Sequence, residues 1–249
     1  MLKVLENAVP VACWSCSVAH NESTLFCPDC SKIQPPTTGD YFSVFGLEHR
    51  LNIDLPALEQ EFHRLSRRLH PDRFARASEN EKDWSLADTA LLNDAYRTLK
   101  DPLRRTEYLL KLQGAEMGVS PEACSGTTLL QNQEKIQNQE KIQNREKTSR
   151  VPADLLEEVF DLNMQLEEMR MARKMGQEDP ELKESLLTAK EKFVGLVNAV
   201  DRELRAQWTI WDAGDAAARQ PAQQAMMALL DRRKYLSNLV RDVTEILGD

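Results

Sequence analysis

Four cysteines fall within the first thirty residues, as Cys13-x-x-Cys16 and Cys27-x-x-Cys30 with ten residues between the pairs. A C-x-x-C turn aims both sulfurs at one point. Two such knuckles supply the four-thiolate tetrahedral shell that zinc takes in structural sites, with no coordination position left for a substrate. Two alternatives compete: an iron–sulfur cluster, and two unrelated redox pairs. A redox C-x-x-C normally opens a helix within a βαβ unit, and neither pair has that surrounding pattern. His20 lies between the pairs as a rival ligand, but four thiolates already complete the shell. A fifth cysteine, Cys124, stands alone and is read as a bystander.

The second chemical feature is His70-Pro71-Asp72. It follows a basic stretch carrying His63, Arg64, Arg67 and Arg68. Pro71 stops a helix and leaves a histidine and an aspartate on the turn beyond it. Taken alone, the tripeptide is also compatible with an ordinary solvated turn, and the arginines with ordinary surface charge. No phosphate loop or nucleophile elbow occurs, and the four histidines (His20, His49, His63, His70) are not spaced with one another as metal ligands. The pattern is that of a protein without an active site of its own.

Composition narrows the classes further. The chain has 249 residues, 41% hydrophobic and 29% charged, with 9 glycines and 11 prolines. Glycine at about half its usual frequency argues against turn-rich sandwiches and propellers. No apolar run approaches the roughly 18 residues of a membrane-spanning helix. Net charge is -8, which disfavours bulk attraction to nucleic acid. Residues 151–249 alone hold 13 basic and 19 acidic side chains, a net of -6. Four of the five cysteines gathered in the first thirty residues fit a metal site in a reducing compartment better than a secreted disulfide scaffold. The opening MLKVLENAVPVACW reads as neither a signal peptide nor a transit peptide.

Composition shifts divide the chain into residues 1–38, a four-cysteine module that runs into a Pro-Pro-Thr-Thr-Gly breaker (Pro35 to Gly39); 39–112; 113–150; and 151–249. In the second stretch, Leu55, Leu58, Phe62, Leu65 and Leu69 make one apolar helix face. Asp54 is its predicted N-cap, with Pro56 in the first turn. Leu92, Tyr96 and Leu99 line a second helix that Pro102 ends, so an antiparallel helix pair is expected, with Tyr41, Phe42, Phe45 and Leu47 across one end. The third stretch holds the tandem repeat Gln131-Asn-Gln-Glu-Lys-Ile and its successors. A six-residue period keeps no stripe on one helix face, so this part is expected to be a flexible insertion.

The last stretch predicts a three-helix bundle on three stripes. These are Leu155 to Met169, Leu182 to Trp211, and Met226 to Leu247, with breaks at Pro180 and Pro221. The fold class is therefore mainly α. On the first of these helices, Leu156, Phe160 and Met164 lie roughly 100° to 180° away from the core stripe. Acidic Glu157 and Asp161 sit beside them. Apolar strips rimmed by charge mark protein-binding surfaces, although burial against a neighbouring element would explain them too.

The tripeptide between two helices, the first of them basic, resembles the J-domain, the module that stimulates ATP hydrolysis by heat-shock-70-type chaperones. The run from Leu92-Asn-Asp-Ala-Tyr96 through Pro102 to Tyr108-Leu-Leu-Lys-Leu, followed by a three-helix bundle, is similar to the HscB-type co-chaperones of iron–sulfur cluster biogenesis. The four-cysteine start is similar to their animal mitochondrial form, which carries a zinc module. The resemblance covers about residues 41–249, and the polar segment 124–150 is longer than the family leads one to expect.

The resemblance implies that His70, Pro71 and Asp72, with Arg64, Arg67 and Arg68, meet the chaperone. It implies that Leu156, Glu157, Phe160, Asp161 and Met164 meet the cluster scaffold protein. Phe193 is carried over as a further aromatic contact, although it lies on the predicted core stripe. The metal set is Cys13, Cys16, Cys27 and Cys30 around one structural zinc. Recipient proteins are further partners, neither nucleic acid nor membrane is expected, and self-association through the module is left open. The mitochondrion follows from the resemblance, and the cytoplasm from the lack of an address segment. Three other readings compete: a general J-domain co-chaperone for unfolded clients, a zinc-dependent nucleic-acid binder, and a thiol oxidoreductase using Cys13 and Cys16.

Overall fold

The structure, a computed structural model, describes residues 11–20, 24–36, 39–115, 153–176 and 179–248. Cys124 and the repeat segment lie outside the described residues. The chain is mainly α and divides into two compact units, Met1–Ala115 and Glu116–Asp249.

In the first unit, strands β1 (Val11–Ala12) and β2 (Ala19–His20) pair antiparallel, Val11 opposite His20. A single bridge joins Phe26 to Ile33 in the second knuckle. Helix α1 (Tyr41–Val44) is capped by Asp40. Helix α2 (Leu55–Leu69) is capped by Asp54 with Pro56 in its first turn, as predicted. A 3₁₀ turn, Pro71–Phe74, leads to α3 (Glu79–Lys100), whose start is fixed by a capping box between Ser78 and Glu81.

Pro102 does end the second long helix, and it also opens another. Asp101 caps α4 (Pro102–Leu112), with the proline at the first helical position, where its missing N–H costs nothing. Leu58, Leu65 and Leu69 of α2 are buried, as are Leu92, Ala95 and Leu99 of α3. Phe62 stacks on Tyr96 at 4.1 Å. Leu55, predicted on the same face, is exposed at the first helical position. Phe42, Phe45 and Leu51 are buried with these helices, and Tyr41 stacks on Tyr108 of α4 at 4.4 Å.

The α3 stripe also carries Asp88, which is 0% exposed with neither carboxylate oxygen hydrogen-bonded. Burial pushes its acid up from 3.8 to about 7. The folded state therefore holds the proton more tightly than the unfolded chain does. The stability tied to that proton is fully present below pH 3.8 and is lost as the pH rises through about 7. Asp88→Leu is therefore expected to stabilise the first unit more at pH 8 than at pH 4, by on the order of 4 kcal/mol. Urea titrations at the two pH values check this; equal gains at both would contradict it.

In the second unit, a 3₁₀ turn (Ala153–Leu155) precedes α5 (Leu156–Lys174), which is followed by α6 (Pro180–Ala213) and α7 (Ala216–Leu247). Leu155, Val159, Leu162, Leu166 and Met169 pack with Leu186, Phe193 and Val200 of α6 and with Leu236, Leu239 and Val243 of α7. Asp179 caps α6 and Pro180 starts it, as the sequence suggests. Pro221 does not mark a break: it lies inside α7. The chain turns instead at Gly214, where an added Cβ would sit 2.6 Å from the Ile210 carbonyl oxygen, and Asp215 caps the next helix. Buried Ala222, Met226 and Leu230 carry the helix past the proline. Among the described residues, no helix is long and apolar enough to cross a membrane.

Candidate metal centre and interaction surfaces

The two cysteine pairs fold as near-copies. Ser17 N–H donates to the Cys13 carbonyl at 2.9 Å, and Ser31 N–H donates to the Cys27 carbonyl at 2.9 Å. Both serines take positive φ, 61° and 59°, which tucks each turn tightly behind its sulfurs. Cys13 and Cys30 sulfurs lie 3.6 Å apart and Cys16 and Cys27 sulfurs 3.7 Å apart, and all four are within 4.8 Å of one another. Four sulfurs around one zinc at about 2.3 Å define tetrahedral edges of roughly 3.8 Å. The donor set fits such an ion.

Electrostatics support the fit. Burial pushes the Cys13 thiol up, but the N–H groups of Cys16 and Ser15, with the Cys16 and Cys30 thiols, outweigh it and bring it down to about 6. At Cys16, a hydrogen bond from the Val18 backbone favours the thiolate, yet burial and hydrogen bonds with Cys13, Cys27 and Cys30 push it up to about 12. Four sulfurs this close ionise together only around a cation. His20 is not a fifth arm of the shell; its Nε2 lies 3.4 Å from the Cys27 sulfur and 3.3 Å from an Asp29 oxygen.

The cysteine knuckles pack on the helices of the same unit. Trp14 meets Trp84 edge-on at 5.6 Å and donates its indole N–H to the Ile33 carbonyl at 2.7 Å. Lys32 pairs with Glu81 at 3.1 Å, and the Arg68 guanidinium lies 3.9 Å above the Phe26 ring. No short-range pattern in the sequence announces these contacts.

His70 follows the last residue of α2 and is exposed, as are Pro71 and Asp72. The Asp72 N–H donates to His70 Nδ1 at 3.3 Å, closing the turn on itself. Beneath it, Ser85 donates to the Leu69 carbonyl at 2.6 Å, and Thr89 does so at 3.5 Å. The turn is therefore fastened from below while its side chains face solvent. Arg64 is engaged with Glu61 of the preceding turn, Arg67 is exposed, and Arg68 is held over Phe26. Losing the Ser85 hydroxyl weakens a buried hydrogen bond to a main-chain carbonyl, so Ser85→Ala is expected to cost about 1 kcal/mol of stability, measurable by urea titration.

On α5, Leu156, Phe160 and Met164 are 58, 63 and 59% exposed. Glu157 and Asp161 are exposed beside them. Met171 on the same helix and Met175 at its C-cap extend the exposed apolar surface; their spacing from Met164 was available in the sequence as a signal. Phe193 requires correction. It is 1% exposed within the bundle core, where α6 turns it inward, so it offers no contact to a partner.

Comparison with known proteins follows this geometry. No family model matches the chain. It is 41% identical over 115 residues to the iron–sulfur cluster co-chaperone protein HscB of Mus musculus, covering 45% of this chain and 49% of that protein. It is 41% identical over 109 residues to the human protein, covering 42% and 46%. It is 43% identical over 97 residues to the co-chaperone protein HscB homolog of Vibrio cholerae, covering 39% and 57%. In sequence, then, the chain spans about half the length of the curated relatives it matches. In structure it is similar to human co-chaperone protein HscB, with a TM-score of 0.60 and 25% identity over 94% of this chain and 98% of that one. Chaperone HscB from Vibrio cholerae gives 0.52 and 26%, covering 84% and 97%. The chain is HscB-like in sequence and in fold.

Proposed function

We propose that this HscB-like chain is a two-surface adaptor in iron–sulfur cluster biogenesis. It stimulates ATP hydrolysis by a heat-shock-70-type chaperone through His70, Pro71 and Asp72, with Arg64, Arg67 and Arg68 steering onto an acidic surface of the ATPase domain. Its bundle delivers the cluster scaffold protein through Leu156, Glu157, Phe160, Asp161 and Met164. Hydrolysis locks the chaperone on the scaffold and favours cluster release to recipient proteins. The chain itself transforms no small molecule. By the family resemblance its place of work is the mitochondrion, with the cytoplasm as the alternative.

One observation carries this reading: the helical turn and the α5 strip both hold their chemistry exposed, on helices fixed by separate buried cores. A general co-chaperone for unfolded clients shares the turn, but the compact acidic-rimmed strip favours one defined partner. The experiment is titration calorimetry of the purified chain with the cluster scaffold protein, paired with ATP turnover by the purified chaperone. Binding together with stimulation supports the reading; neither occurring overturns it.

Zinc is the proposed ion of the four-cysteine site, with a structural role. One equivalent of zinc per chain is expected by mass spectrometry under native conditions. His20 Nε2 lies 3.4 Å from the sulfur of the ligand Cys27, so His20→Ala is expected to weaken zinc retention about tenfold. Competition with a chromophoric chelator measures it, and unchanged retention would remove His20 from the site.

A further inference from the structure

The cysteine knuckles do more than sit beside the helices. Between the second knuckle and the turn after α2 lies a cleft of about 670 Å³. Phe26 and Lys32 line it from the knuckle; Arg68, Arg73, Phe74 and Glu81 line it from the helices and the 3₁₀ turn. Three cations face one carboxylate there, which leaves an excess of two positive charges. Glu81 is already satisfied by Lys32 and by Ser78, its capping partner. Among the described residues neither Arg68 nor Arg73 forms an ion pair.

Arg68 shows the consequence. It is half-buried above Phe26, and burial, with the charges of Arg64 and Arg73, lowers its guanidinium from the ordinary range against the opposing pull of Glu61, which is itself paired to Arg64. A cation that is partly desolvated and crowded by like charges, with no direct ion pair, is stabilised by an arriving anion. The aromatic rings of Phe26 and Phe74 add walls that suit the apolar part of a peptide and not a free inorganic ion.

We infer that the second cysteine knuckle and the turn after α2 together form a docking cleft for an acidic peptide segment of the chaperone's ATPase domain. This rests on the proposed chaperone contact and adds the metal module to it. The knuckle supplies Lys32 and Phe26, so the folded module becomes part of the partner-binding surface. The segment enters beside Pro71 and Asp72, because Arg73 and Phe74 belong to the same 3₁₀ turn.

The test compares the full zinc-loaded chain with Lys32→Glu and Lys32→Gln. The readouts are affinity for a purified ATP-bound heat-shock-70-type chaperone, by fluorescence anisotropy, and maximal ATPase stimulation. Lys32→Glu reverses a charge in the cleft and is expected to weaken affinity about tenfold at low salt, with the gap shrinking as ionic strength rises. Lys32→Gln keeps a donor for Glu81 and is expected to weaken affinity about threefold. Zinc content and the near-ultraviolet signal of the Trp14–Trp84 pair report whether the knuckle remains docked. Maximal stimulation at saturating chain stays at the wild-type rate. If both variants bind like wild type while His70→Gln abolishes stimulation, the cleft inference is overturned and the chaperone contact stands. If the wild-type chain itself neither binds nor stimulates, both fall.

Discussion

His70→Gln is expected to return chaperone ATP turnover to its unstimulated rate while leaving the melting of the chain unchanged. The two halves of that expectation come from different parts of the structure. The imidazole is exposed, and its recorded contacts are local: the Asp72 N–H at 3.3 Å and an Asp72 carboxylate oxygen at 3.5 Å. Removing the ring takes nothing from the buried stripes of α2 and α3, and surface substitutions of this kind usually stay within about 0.5 kcal/mol. Function differs because the turn is presented ready-made. Pro71 fixes one dihedral, and Ser85 and Thr89 hold the Leu69 carbonyl just before it. A rigid loop meets its partner with little ordering cost, so its few side chains carry most of the effect. Steady-state ATPase assays with both proteins check this; wild-type stimulation by the His70→Gln chain would remove the tripeptide from the mechanism.

Changing Leu156, Phe160 and Met164 together to serine is expected to cost at least about 3 kcal/mol of scaffold affinity, more than a hundredfold in Kd. Each side chain stands more than half exposed, so the bundle core is untouched and the helix should fold as before. Burial of such side chains at an interface is worth about 1–2 kcal/mol each, and their contributions are not strictly additive. Stimulation of the chaperone in the absence of scaffold should persist in the triple variant. Titration calorimetry measures the loss. Retention of wild-type affinity would show that the scaffold docks elsewhere.

Much of this was legible in the residues because the signals are local. Two C-x-x-C pairs, a helix stop at Pro71, the Asp54 cap and the stripes of the bundle are each set by neighbours a few positions away. Helix α4 was legible too, in Asp101-Pro102, but a proline that ends one helix can also begin the next. Pro221 misleads in the opposite direction: a long helix packed along its partner tolerates a missing hydrogen bond that a short one would not, and the turn goes to Gly214, where a Cβ has no room. Phe193 shows the conflict between resemblance and periodicity, and burial sides with periodicity. The contacts of Arg68 with Phe26, Trp14 with Trp84 and Lys32 with Glu81 join residues far apart in sequence. Nothing in the spacing of either partner encodes them, so the docking of the cysteine module on the helices emerges only in three dimensions.

The most direct test of the two-surface account is single-turnover ATP hydrolysis by the chaperone, with the chain alone and with chain and scaffold together. The account predicts a rate raised by the chain, raised further by adding scaffold, with the second increment lost in the triple serine variant and both lost in His70→Gln. A chain that leaves hydrolysis at its basal rate with or without scaffold would contradict it.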